Sequence, residues 1–309
     1  MKKNRILIIG SSGLVGTALT SALLSKGNDV VCFDLRAQGE EQGDICDRDR
    51  VRDAVSGVDG IVHLAAVSRV LWGERDPDLC WATNVGGLSN VLYAAAQSVR
   101  KPWLIFTSSR EVYGQPESLP VTEEAPLRPV NVYGRAKVEG ERLVAEAQRA
   151  GIRACTIRLS NVFGSTCDHA DRVVPAFTRA AALGTELRVD GRDHTFDFTH
   201  IDDVTRGIVA LIELLGMGDS PPPPIHFVSG QPTTLWELAN LAAQLGQQDS
   251  PIRLAAPRNF DVESFVGDSS RAKALLGWHP LVSLEEGISR LIQGFRDVRP
   301  TVKVREVAR

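Results

Sequence analysis

Short apolar runs alternate along the chain with longer segments in which apolar residues recur every three or four positions. The runs are Arg5–Ile9, Asp29–Leu35, Gly60–Ala66, Trp103–Ser109 and Arg153–Ser160. They are nearly continuous in apolar residues, as strands covered on both faces of a parallel sheet are. Between the first two, Val15, Leu19, Ala22 and Leu23 keep helical spacing, and Lys26-Gly27 supplies a stop. Val85–Ser98 and Tyr133–Ala150 repeat the helical pattern, the latter ending at Gly151. This repetition predicts an α/β fold, a Rossmann-type doubly wound parallel sheet with helices on both faces.

Beyond about residue 165 the alternation loosens. Helical patterns persist at Val173–Leu183, Asp203–Leu215 and Leu235–Leu245. Pro221–Pro224, without amide donors, reads as a solvated loop before a short strand Ile225–Val228. The expected organisation is a first domain over residues 1–165, with later segments interleaved, and a smaller C-terminal α/β domain over 166–309. Asp297 to Arg309 is charged and unpatterned and reads as a frayed tail.

Composition narrows the chemistry. With 43% apolar and 24% charged residues, the 309-residue chain can bury a large core. Its 35 Lys and Arg against 38 Asp and Glu give a net charge of −3, which argues against a nucleic-acid partner and for small-molecule chemistry. Cys32, Cys46, Cys80, Cys155 and Cys167 are scattered without a C-x-x-C pair, so neither a disulfide framework nor a metal site is expected. Such thiols fit a reducing cytoplasm. The apolar run after Met1-Lys2-Lys3-Asn4-Arg5, Ile6 to Ile9, is too short for a secretion signal. No stretch approaches the roughly 20 apolar residues of a membrane span.

Gly10-Ser11-Ser12-Gly13-Leu14-Val15-Gly16 leaves the first strand and opens a helix. Glycines there permit the tight turn and let backbone approach a pyrophosphate at the helix N-terminus. The spacing is G-x-x-G-x-x-G rather than G-x-G-x-x-G, so the strand–turn–helix context carries the reading of a dinucleotide site. Asp34, at the end of the second run, is placed to accept both adenosine ribose hydroxyls and to repel a 2′-phosphate, which favours NAD over NADP. Arg36 beside it blurs that preference. Asp44 is read equally as a ligand of the adenine amino group and as an ordinary turn residue.

Tyr133 and Lys137 lie one helical turn apart on one face. A free phenol near pKa 10 is a poor base, and a neighbouring ammonium with a positive nicotinamide ring favours the phenolate. The fourth run ends in Thr107-Ser108-Ser109, at the carboxyl edge where such sheets bind ligands. A serine hydroxyl there can hold the reacting oxygen while the tyrosine takes its proton.

Together these pieces resemble the extended short-chain dehydrogenase/reductase family, in its NAD-dependent, UDP-glucose 4-epimerase-like nucleotide-sugar epimerase/dehydratase branch. Further matches, in family order, are His63-Leu64-Ala65-Ala66, Asn84-Val85-Gly86-Gly87, Ser108 to Gly114, Arg158 to Gly164 and Gly277-Trp278-x-Pro280. The resemblance implies NAD held by Gly10, Ser12, Gly13, Leu14, Val15, Gly16, Asp34, Arg36, Asp44, Ile45, Leu64, Ala65, Ala66, Thr107, Tyr133 and Lys137. It implies catalysis by Ser109, Tyr133 and Lys137, with Glu111 beside them, and a structural Tyr113. Its substrate-contacting positions fall on Ser109, Arg110, Asn161, Val174, Arg192, Arg258 and Asp261. It also implies a sugar-nucleotide substrate, a UDP-sugar by expectation, in the C-terminal domain. Pairing of Val85–Ser98 and Tyr133–Ala150 across a two-fold axis would make a homodimer.

One departure stands out. Phe196, in Thr195-Phe196-Asp197-Phe198-Thr199-His200, replaces the arginine with which many relatives grip the diphosphate. Arg192, His194 and Arg258 are the candidates to replace it. His200 near Asp202 and Asp203 reads as a helix N-cap, not a metal ligand. The expected reaction is 4-epimerisation through a transient 4-keto sugar, with 4,6-dehydration as the alternative. Dehydration needs a proton donor beside a carboxylate base. Glu111 can be that base, but Arg110, in the donor's place, cannot give up a proton at neutral pH. The pair also reads as a structural ion pair. A nucleotide-binding regulator would not need Ser109, Tyr133 and Lys137 together, and a net oxidoreductase would release NADH.

Overall fold

The computed structural model describes residues 4–257 and 262–297. Strands β1 (Arg5–Ile9), β2 (Asp29–Phe33), β3 (Gly60–His63), β4 (Trp103–Ser109) and β5 (Ala154–Leu159) occupy the five apolar runs. With β9 (Ile225–Phe227) they form a six-stranded sheet in the order β2-β1-β3-β4-β5-β9, every pairing parallel. Alternate residues of β1 point to opposite faces. Ile6 and Ile8 pack with Leu19 and Leu23 of helix α1 (Leu14–Ser25) and with Val204, Ile208 and Leu211 of the helix Ile201–Gly216. Leu7 and Ile9 pack with Val51 and Val55 of helix α2 (Arg48–Val55), Val91 of the helix Leu88–Gln97 and Val144 of the long helix Val132–Arg149. Each such side chain, fully buried, contributes about 1.5–3 kcal/mol. The fold is the expected Rossmann-type α/β sheet.

The later segments build a second core beside the carboxyl edge of that sheet. Strand β8 (Thr195–His200) pairs with β6 (Asn161–Phe163), β10 (Pro232–Thr234) and β12 (Ser264–Phe265). Strand β7 (Leu187–Asp190) pairs with β11 (Ile252–Ala255). Phe177, Val189, Phe198, Leu238, Ile288 and Leu291 fill the space between these strands and the helices Val173–Leu183, Leu235–Gly246 and Leu284–Asp297.

Differences from the sequence reading are local. Strands β2 and β3 end at Phe33 and His63, short of the expected Leu35 and Ala66, and Asp34 and Leu64 directly beyond them line a cleft. The helix expected from Val85 starts as a wide turn over Ala82–Gly87. The helix expected from Asp203 starts at Ile201, where the His200 ring nitrogen caps it by accepting from the Asp202 amide at 3.2 Å. Strands β6, β7, β8, β10, β11 and β12 have no counterpart among the apolar runs, being short or polar on one face. Arg258, Asp261 and the tail from 298 onward lie outside the described residues.

Candidate active site

The strand order reverses between β1 and β3, and ligands of doubly wound sheets bind in the crevice beyond such a reversal. A cleft of about 810 Å³ opens there and extends under the second core. Gly10, at φ 91°, crosses from β1 toward the loop after β3, and a Cβ on it would lie 2.6 Å from the Ala65 amide nitrogen. A Cβ on Gly16 would lie 2.2 Å from the Gly10 carbonyl oxygen. Only glycine fits either position. Helix α1 has no acidic residue in its first turn and no side-chain cap at Gly13, so its first amides point free toward an anion.

Asp34 is buried on the lining. Its carboxylate accepts from the Ser12 amide at 3.0 Å and the Arg36 amide at 2.8 Å, with the Arg36 guanidinium 3.6 Å away. Asp44 accepts from the Cys46 amide at 2.8 Å, and Thr107 presents a buried hydroxyl without a partner among the described residues. Leu14, Val15, Ile45, Leu64, Ala65 and Ala66 supply apolar lining. Ser12 contributes its backbone, the side chain being exposed off the lining. These groups fit a nicotinamide dinucleotide: a glycine cradle, an anion-ready helix end and a carboxylate for ribose hydroxyls. Among the described residues no cluster has metal-ligand composition, and no helix is long and apolar enough to cross a membrane.

Ser109 ends β4, and its hydroxyl accepts from the Glu111 amide at 3.3 Å. Asn131 caps the long helix by accepting from the Gly134 amide at 2.8 Å, which starts the helix so that Tyr133 and Lys137 both face the cleft. Burial pushes the Tyr133 phenol up to about 12, against a hydrogen bond with Ser109 and the charge of Arg172. Burial also lowers Lys137 to about 8, and its ammonium donates to the Thr107 carbonyl at 2.8 Å. Lys137 is thus anchored to β4, 5.8 Å from the Tyr133 ring centre. Behind them Glu141 accepts from Ser108 at 2.5 Å and from Arg158 at 2.6 and 2.9 Å, locking the long helix to β4 and β5. Tyr113 belongs to this buried network, holding Arg158 and His226 at 2.6 Å each, and does not line the cleft.

The opposite wall comes from distant segments. Glu111 is buried, paired with Arg110 at 3.0 Å and accepting from Asn131 at 2.7 Å. The Arg110 guanidinium lies 4.5 Å from the centre of the Phe196 ring. Asn161 and Val174 line the cleft, as do Arg69, Trp72, His169, Arg172, Arg188 and His194. Arg69 ties the two cores together by donating to Asp171 at 2.8 Å, and Trp72 meets His169 edge-on at 4.9 Å. Arg192 is off the lining, exposed and stacked 4.9 Å over Trp236. Sequence reasoning passed over Arg69, Arg172 and His169 because they sit in loops without periodicity. The signal available was the place of Arg172 two residues before Val174, a position read as substrate-contacting.

The model of the NAD dependent epimerase/dehydratase family matches residues 6–223. The chain belongs to this family. Among its relatives, a UDP-glucose 4-epimerase of Lactobacillus helveticus is 30% identical over 306 residues, covering 89% of this chain and 92% of its own. UDP-glucuronic acid decarboxylase 1 of Xenopus tropicalis is 30% identical over 312 residues, covering 95% of this chain and 72% of its own. Among solved structures, the UDP-glucose 4-epimerase of Thermotoga maritima with UDP-glucose superposes with a TM-score of 0.87 at 26% identity, over 95% of this chain and 99% of that one. Epimerase/dehydratase membership accounts for the shared frame, and NAD is the cofactor the family and the cleft agree on. It does not single out one reaction, since its members do different chemistry on it.

Proposed function

We propose that this enzyme is a nucleotide-sugar 4-epimerase, with Ser109, Tyr133 and Lys137 as its catalytic residues. Tyr133 takes the proton of the sugar C4 hydroxyl and later returns one, while Ser109 holds the reacting oxygen. Lys137 and Arg172 supply the positive charge that favours the phenolate. NAD held by the glycine turn at Gly10 and Gly16 and by Asp34 would supply the hydride acceptor and donor that inversion at the sugar C4 requires. The observation that carries epimerisation over dehydration is the fixed state of Glu111. Both its oxygens are engaged, by Arg110 and by Asn131, and its neighbour is a guanidinium that cannot protonate a leaving hydroxide.

The UDP-sugars named for the relatives make a UDP-sugar the first substrate to try. The two-core layout supports assigning residues 1–165 to the cofactor and 166–309 mainly to the sugar nucleotide. Exposed Tyr93 on the helix Leu88–Gln97 supports a homodimer through that face, and the free thiols of all five cysteines fit a cytoplasmic enzyme. The test is incubation with UDP-, dTDP-, GDP- and CDP-sugars, read by mass spectrometry and NMR. The expected product is isobaric with its substrate and inverted at C4. A product lighter by one water would overturn epimerisation in favour of 4,6-dehydration.

A further inference from the structure

Arg110 has two partners, Glu111 and the Phe196 ring, and one unsatisfied nitrogen. One terminal nitrogen pairs with Glu111 at 3.0 Å. Its plane rests on the Phe196 ring, 4.5 Å from the centroid, an arrangement that holds a cation without consuming its hydrogen bonds. The other terminal nitrogen, Nη1, is buried and has no hydrogen-bond partner among the described residues. Glu111 does not serve it: one carboxylate oxygen faces the first nitrogen and the other accepts from Asn131. Leaving a charged donor buried without an acceptor is costly, and the cost disappears when an acceptor arrives. Arg110 lines the cleft directly after Ser109, so the acceptor it lacks is one that a cleft ligand brings close to the reacting sugar. Nη1 is covered in this arrangement, so meeting a cleft ligand requires the guanidinium to turn over the Phe196 ring. A guanidinium is best matched by the paired oxygens of a carboxylate or phosphate.

We propose that Arg110 is a substrate-specificity residue that binds an oxyanion of the nucleotide-sugar, supplied either by a carboxylate on the sugar or by the diphosphate. The proposal rests on the nucleotide-sugar reading of the cleft. It is tested on the NAD-loaded full chain by calorimetric titration with three ligands in both the UDP and dTDP series: the nucleoside diphosphate, its glucose conjugate and its glucuronate conjugate. If the diphosphate is the partner, Arg110→Met weakens all three by about 10- to 100-fold. If the sugar carboxylate is the partner, only the glucuronate conjugate loses affinity by that factor. Either result supports the proposal and names the source.

Equal affinities in wild type and Arg110→Met would overturn it. So would full recovery of binding in Arg110→Met/Glu111→Gln, because Arg110 would then only neutralise Glu111. Should the methionine variant not fold, Arg110→Lys carries the test, since it keeps the charge and loses the fork. A loss of affinity there supports the proposal, and unchanged binding overturns it. Wild-type protein that binds none of the ligands would overturn the nucleotide-sugar reading, and this inference with it.

Discussion

The two walls of the cleft are built by different means. The wall under β1, β2 and β3 is mostly backbone: the glycine turn at Gly10 and Gly16, the open end of helix α1, and Asp34 held by two amides. The wall under β8 is mostly side chain on side chain, with Arg110 on Phe196, Glu111 on Asn131 and Arg69 on Asp171. A backbone wall tolerates few substitutions, because a Cβ at Gly16 meets a carbonyl at 2.2 Å. A side-chain wall can be rewired one pair at a time. That contrast explains how one frame carries epimerases and decarboxylases among relatives about 30% identical to this chain.

The largest effect is expected at Tyr133, where the two walls meet. Tyr133→Phe removes the one phenol hydroxyl in the cleft and is expected to lower kcat by about 10²–10⁴-fold. NAD content and melting temperature should stay near wild type, since the ring keeps its packing. Steady-state assay with the substrate found in the sugar panel checks it. Retained activity would mean that the seam between the walls is not where proton transfer occurs.

The backbone wall was legible in the sequence because its requirements are local. A strand, three glycines and a helix occupy residues 5–25, and Asp34 follows at the end of the next strand. Tyr133 and Lys137 were legible for the same reason, being one turn apart. The side-chain wall was not. Nothing near Arg110 announces that Phe196 lies beneath it, 86 residues later, or that Asn131 holds Glu111. Strand β8 escaped notice because Thr195, Asp197 and Thr199 interrupt its apolar residues. Asp197 is nonetheless buried, accepting from Ser229 and Gly230. The expected lowering of Tyr133 by Lys137 also meets a counterforce no spacing reveals, namely the burial of both groups.

A middle-sized effect tests the backbone wall. Asp34→Asn keeps an acceptor for the Ser12 amide while removing the charge that faces a 2′-phosphate. Affinity for NAD is expected to fall by roughly tenfold, the value of a charge-assisted hydrogen bond. NADP should gain, so the preference narrows or reverses. Fluorescence titration with both cofactors reads this directly. An unchanged preference would give the choice to Arg36 instead, and with it a side-chain element in the wall described here as backbone.

The smallest effect is one of pH, and it lies in the depressed ammonium of Lys137. Burial lowers it to about 8 from its ordinary 10.5, so between these values the unfolded chain holds a proton that the folded chain has released. Stability rises with pH wherever the unfolded state binds more protons. The contribution of Lys137 to stability is therefore expected to increase from pH 8 toward pH 10. Above that, Tyr133 acts oppositely: pushed up to about 12 from 10, it keeps a proton in the folded state that the unfolded state loses. The measurement is the difference in melting temperature between wild type and Lys137→Met across pH 7–10. Relative to the variant, the wild type should gain a few degrees over that range. A flat difference would mean that hydrogen bonding to the Thr107 carbonyl at 2.8 Å offsets the burial and holds Lys137 at its ordinary value. The ammonium would then stay charged throughout, and its help to the Tyr133 phenolate would not fade above pH 8.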